Sequence, residues 1–87
     1  MHFGRNRVFK RQFQKLPPKL QDRVQERLTM YIIDESNPLF NDHKLEHPYE
    51  GYRSINITSD YRLVYKLIDK NTYYLRAVGT HHQLYGT

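Results

Sequence analysis

The chain of 87 residues contains no cysteine, no long apolar run, and little acidic charge in its first third. Without cysteine there is neither a disulfide framework nor a thiolate metal site, so side-chain burial must hold the fold unaided, and a reducing compartment is compatible with every feature. No apolar run approaches the roughly 20 residues needed to cross a bilayer. Met1-His2-Phe3-Gly4-Arg5 lacks the apolar stretch of a signal peptide. The expectation is a cytoplasmic protein with no membrane partner. The length suits one domain over residues 1–87, which would bury somewhat over ~60% of its unfolded surface, so the core will be modest.

The shortage of acid is regional. Residues 5–27 hold eight basic side chains (Arg5, Arg7, Lys10, Arg11, Lys15, Lys19, Arg23, Arg27) against Asp22 and Glu26, a balance of +6. Residues 41–87 carry six basic and five acidic groups and are nearly neutral. A localised basic surface attracts polyanions by counterion release, nucleic acid foremost; a solvated helix face is the plainer explanation of the same charge.

Hydrophobic spacing predicts an α+β fold. Phe9, Phe13 and Leu16 recur at helical intervals, Pro17-Pro18 ends that segment, and a second helix is expected from about Pro18 to Glu35. Its buried stripe would be Leu20, Val24, Leu28, Tyr31 and Ile32. Ser36-Asn37-Pro38 breaks the pattern. From Tyr52 the period becomes two, in the blocks Tyr52–Ile57, Tyr61–Ile68 and Thr72–Val78, separated by turns short enough for hairpins. His2–Val8 offers a further strand, against which Gly4 and the nearby basic residues argue. The expected architecture is an N-terminal helical hairpin packed on one face of a twisted antiparallel sheet of about four strands. Strand parity turns Ile55, Ile57, Leu63, Tyr65 and Leu67 towards the helices. It leaves Ser54, Asn56, Arg62, Val64 and Lys66 on the open side, and does not decide the third strand.

Groups able to move protons near neutral pH are His43, His47, His81 and His82, with Asp60 the carboxylate nearest a strand start. Three explanations compete. A metal site would use the His43/His47 spacing of four and the His81-His82 pair, but His43–Pro48 is a poor helix and no cysteine assists, so no metal and no cofactor are expected. Alternatively each histidine is a surface residue, the better account of His47 and His82. The third is a metal-free ribonuclease, in which a base takes the 2'-hydroxyl proton, an acid protonates the leaving 5'-oxygen and a cation stabilises the phosphorane; the fork of Arg62 suits that last role.

The runs Asp42-His43-Lys44-Leu45, Gly51-Tyr52-Arg53, Asp60-Tyr61-Arg62-Leu63-Val64-Tyr65-Lys66-Leu67, Gly79-Thr80-His81 and Leu84-Tyr85-Gly86 resemble, in spacing and in kind, the YafQ-like branch of the RelE/ParE toxin superfamily. The N-terminal half matches only in character. The resemblance implies a RelE-like fold and a metal-independent endoribonuclease. It would cut mRNA in the ribosomal decoding site, be held by a cognate antitoxin protein, and meet operator DNA only through that antitoxin. It further implies catalytic roles for His43, Asp60, Arg62, His81 and Tyr85: His81 as acid, Asp60 or His43 as base, Arg62 as phosphate clamp, and Tyr61 and Tyr85 as stacking or positioning groups. RNA contacts are expected from Asn56, Tyr61, Lys66 and Arg53, and from Lys10, Lys15 and Arg23 of the basic helices, which suit ribosomal RNA. Four positions depart from the branch, Tyr61 and Tyr85 mildly, since tryptophan and phenylalanine are usual there. Asn56 stands where a sheet histidine is usual and cannot exchange a proton at neutral pH. Arg62 follows the RelE- and YoeB-like pattern instead. A ParE-like gyrase inhibitor, or an inactive antitoxin-binding module of the same fold, are the alternatives; the set His43, Asp60 and His81 favours the nuclease.

Overall fold

A computed structural model describes residues 2–86. In chain order the elements are β1 (His2–Arg5), α1 (Arg7–Lys15), α2 (Pro18–Ile33), a 3-10 turn (Pro38–Phe40), β2 (His43–Lys44), β3 (Arg53–Asn56), β4 (Tyr61–Asp69), β5 (Thr72–Thr80) and α3 (His81–Tyr85). The Asn6 side chain caps α1 by accepting from the Val8 N–H at 2.7 Å. Leu16 leaves the helical region, and Pro18 opens α2, where its missing N–H costs nothing. That helix stops at Ile33, two residues short of the expected Glu35, because Asp34 turns out of helical geometry while its N–H still reaches the Met30 carbonyl.

The sheet corrects the expectation of about four antiparallel strands. It has five, in the order β1-β5-β4-β3-β2, and β1 runs parallel to β5 while the other pairs are antiparallel. Main-chain bonds from the His2 N–H to the Asn71 carbonyl and from the Asn6 N–H to the Leu75 carbonyl fix β1, and the Phe3 ring stacks on Tyr73 at 5.7 Å. Gly4, which spoke against a strand, admits the Tyr74 ring: a Cβ there would sit 3.3 Å from its Cδ1.

The principal core lies between helices and sheet, where Phe9, Val24 and Tyr31 meet Phe40, Ile55, Ile57, Leu63, Tyr65, Tyr73, Leu75 and Val78. Such side chains contribute ~1.5–3 kcal/mol apiece when fully buried. Of the expected α2 stripe, Val24 and Tyr31 are buried and Leu28 is partly so. Leu67, expected in the apolar row, is half exposed, because register shifts occur at Val64/Tyr65 and Leu67/Asp69. The first shift explains why parity failed for β5: Val64 pairs with Ala77 but Tyr65 pairs with Leu75, so Arg76 is an extra residue and the strand changes faces there. Beyond that bulge Ala77 joins a second small core with Val64 and Leu84, flanked by Leu45, Tyr49, Tyr52 and Tyr85. The side read as open is therefore partly covered, by α3 and the segment from Leu45 to Tyr52. Among the described residues, no helix is long and apolar enough to cross a membrane.

Candidate functional site

The covered end of the sheet holds a cavity of about 220 Å³, lined by His43, Leu45, Glu46, His47, Ser54, Arg62, His81 and Tyr85. Four of the five expected catalytic residues, His43, Arg62, His81 and Tyr85, line it together. They come from three elements. His43 opens β2 and is the cross-strand partner of Ser54; Arg62 sits in β4 opposite Asn56; His81 and Tyr85 begin and end α3.

Local geometry sets each group. The backbone of Asn41 is left-handed, with φ 44°, and its carbonyl lies 2.8 Å from His43 Nδ1. A carbonyl only accepts, so Nδ1 carries the hydrogen in the neutral ring and Nε2 keeps a lone pair. Asp42, one residue back, is pinned from three sides. It accepts from Tyr31 and Tyr65 hydroxyls at 2.8 Å each and pairs with Arg53 Nε at 3.0 Å. That carboxylate raises the pKa of the Arg53 guanidinium. Burial, more than Asp42 itself, raises those of Tyr31 and Tyr65.

Arg62 is held by its own turn, with Nη1 donating to the carbonyls of Thr58, Ser59 and Tyr61 at 3.0, 2.9 and 3.2 Å. The helix α3 starts at a capping box in which Thr80 and Gln83 exchange side-chain-to-backbone bonds. Gly79 precedes it because a Cβ there would fall 2.9 Å from Gln83 Oε1. The His81 and Tyr85 rings lie 4.6 Å apart, edge to face, so one turn of helix presents both to the cavity.

The remaining expected residues are dispersed. Asp60 and Tyr61 line an adjoining recess with His81 and His82, so His81 is shared between the two hollows. Asn56 lines a different recess, with Arg23. Lys66 lies 5.1 Å above the Tyr52 ring and 5.9 Å from that of Tyr74. Arg53 has its Nε committed to Asp42. Lys10 borders an apolar hollow of the helix layer with Phe9, Phe13 and Leu28, and Lys15 ends α1.

Four cavity residues, Leu45, Glu46, His47 and Ser54, are not among the expected site residues; His47 is expected at the surface and Ser54 on the open side without function. Ser54 is 0% exposed and its Oγ finds no hydrogen-bond partner, as is also true of the Tyr85 hydroxyl oxygen. Pairing β2 with β3 sets Ser54 beside His43, but a two-residue strand leaves no periodic signal. Among the described residues no three His, Asp or Glu side chains are grouped to hold a metal ion. The cavity thus offers three imidazoles, a guanidinium, a carboxylate and two hydroxyls in a small volume, a set suited to moving protons around an anionic group.

Comparison with known proteins gives this arrangement a family. A model of the family described as "Bacterial toxin of type II toxin-antitoxin system, YafQ" matches residues 1–86. The mRNA interferase toxin YafQ of Escherichia coli (strain B / BL21-DE3) is 37% identical over 62 residues, a match spanning 68% of this chain and 66% of that protein. A mutant of Escherichia coli YafQ has the same fold, with a TM-score of 0.78 at 21% identity over 97% of both chains. So does the toxin in the Escherichia coli DinJ-YafQ complex, with a TM-score of 0.71 at 24% identity and 97% coverage of each chain. The chain belongs to the YafQ family of bacterial toxins of type II toxin-antitoxin systems.

Proposed function

We propose that this toxin is a metal-independent endoribonuclease that cleaves mRNA, as the name of its Escherichia coli relative indicates for that protein. The observation that carries the proposal is the convergence of His43, Arg62, His81 and Tyr85 on one cavity from three elements. In the reaction, Nε2 of His43 accepts the proton of a ribose 2'-hydroxyl, whose oxygen attacks the adjacent phosphorus. The bond from phosphorus to the 5'-oxygen breaks, and that oxygen takes a proton from His81. The products are a 2',3'-cyclic phosphate and a free 5'-hydroxyl. Arg62, steadied through Nη1, offers its other donors to the phosphate oxygens as their charge grows. Asp60, in the recess on the far side of His81, acts on that imidazole rather than as the base. Tyr85 and Tyr61 position bases.

The message is engaged on the ribosome, where the basic helices, with Lys10 and Lys15, contact ribosomal RNA phosphates without reading sequence. A cognate antitoxin protein, like the partner in the DinJ-YafQ complex, holds the toxin inactive. The N-terminal helical pair packed on one face of a RelE-like sheet forms the platform for both. Primer extension on mRNA from cells expressing the toxin tests the assignment. In-frame cuts bearing cyclic phosphate ends are expected. Intact message accompanied by a DNA-damage response would replace the nuclease by a gyrase inhibitor.

A further inference from the structure

A second hollow, of about 370 Å³, lies between α2 and the β3–β4 turn, lined by Arg23, Arg27, Leu39, Asn56, Ile57, Thr58 and Ser59. Arg23 and Arg27 are four residues apart on α2 and so present neighbouring side chains to it. The Nε of Arg27 and the Oδ1 of Asn56 are both shielded from solvent and have no hydrogen-bond partner. Leaving a buried donor of a charged group unmatched is costly, and a bound water or ion is among the ways such a group is satisfied. Glu26 offers little competition: its carboxylate is 4.0 Å from Arg23 Nε, in an exposed i,i+3 pair. The bland alternative, a solvated basic face, accounts for Arg23 but not for the shielded Nε of Arg27.

The hollow is joined to the reaction cavity by the turn itself. Asn56 is the cross-strand partner of Arg62, and the carbonyls of Thr58 and Ser59 that steady Arg62 belong to residues lining this hollow. An extended polyanion whose reacting phosphate meets Arg62 would therefore carry a neighbouring phosphate across the turn. Resting on the ribonuclease assignment above, we propose that Arg23, Arg27 and Asn56 form a subsite for a second, non-reacting phosphate of the RNA strand that is cut. The planar guanidinium of Arg27 offers the fork geometry that phosphate oxygens match, with the shielded Nε fixing its orientation, Arg23 adds charge, and the Asn56 amide orients the group.

Two measurements on the full chain test this. Inorganic phosphate, titrated into 15N-labelled protein, should shift the Arg27 Nε–H resonance saturably, and Arg23→Gln should weaken that binding. Separately, a short single-stranded RNA carrying 2'-O-methyl groups should bind the double variant Arg23→Gln/Arg27→Gln roughly ten- to hundredfold more weakly at low salt. The slope of log affinity against log salt should become shallower by roughly 0.7, the value for one phosphate lost from a single strand. Arg27→Lys should keep the slope but lose affinity, because charge remains and the fork does not. Unaltered thermal midpoints of the variants establish that they are folded. An unmoved Arg27 resonance, or an unchanged RNA slope with weaker binding to antitoxin or to ribosomes alone, overturns the subsite. Failure of the wild type to cleave, with phosphate still binding at Arg27, rejects the nuclease assignment and leaves an anion site.

Discussion

Tyr31 and Tyr65 direct their hydroxyls at the same oxygen, Asp42 Oδ2, each at 2.8 Å, with the two hydroxyl oxygens 2.5 Å apart. One ring comes from α2 and the other from β4, so a single carboxylate ties the helical layer to the sheet immediately before His43.

This arrangement makes stability sensitive to alkali. Burial raises the pKa of both tyrosines well above 10, and burial with a bond to Glu35 pushes Tyr73 up to about 12. A group whose folded pKa is raised contributes fully below its unfolded value, near 10 for tyrosine, and that contribution is lost as pH climbs towards the folded value. Urea midpoints should fall steadily above about pH 10. Tyr65→Phe should flatten that fall, and a midpoint independent of pH up to about 11 would contradict the account.

Replacing either imidazole should separate chemistry from folding. His81→Ala and His43→Ala are each expected to slow cleavage by about 10²–10⁴-fold, the usual worth of a positioned acid or base. Thermal midpoints and antitoxin binding should stay near wild type, since both side chains are exposed. A His81→Ala protein that arrests translation at the wild-type rate would remove that residue from the mechanism.

Arg62→Lys keeps the charge and loses the fork. Three carbonyls of the 58–61 turn lose their shared donor and the phosphate loses paired contacts, so single-turnover cleavage should drop roughly ten- to hundredfold. Equal rates for the two proteins would reduce Arg62 to a turn-stabilising residue.

Gly79→Ala should act on α3. The added Cβ would displace Gln83 Oε1 and open the capping box, an effect of about 0.5–2 kcal/mol on stability. Activity should decline as well, through misplacement of His81 at the start of that helix. Chemical denaturation beside a cleavage assay would show both; a change in neither would mean that Gln83 finds another cap.

Much of this could be read before any coordinates. The Pro17-Pro18 break and the core positions Ile55, Ile57, Leu63 and Tyr65 follow from period and proline chemistry, whereas the grouping of His43, Arg62 and His81 is implied only by the family resemblance. What escaped has physical reasons. The α3 helix is five residues long, too short for periodicity, although Thr80 and Gln83 carry a capping-box signature. Arg76 reverses parity within a continuous strand, which alternation alone cannot reveal. The parallel seat of β1 depends on a partner about seventy residues away. Asn56 and Arg62 are adjacent across strands yet border different hollows, a distinction invisible to one-dimensional spacing.

The bulge at Arg76 has a consequence for how such a chain can change over generations. Because the extra residue turns Ala77 to the face opposite Leu75 and Val78, the cluster of Val64, Ala77 and Leu84 lies across the sheet from the principal core. Substitutions there can reshape the cavity and shift its histidines while Leu63, Ile55 and Val24 stay untouched. The shape of the cavity is thereby set by a small cluster on the side of the sheet away from the helices.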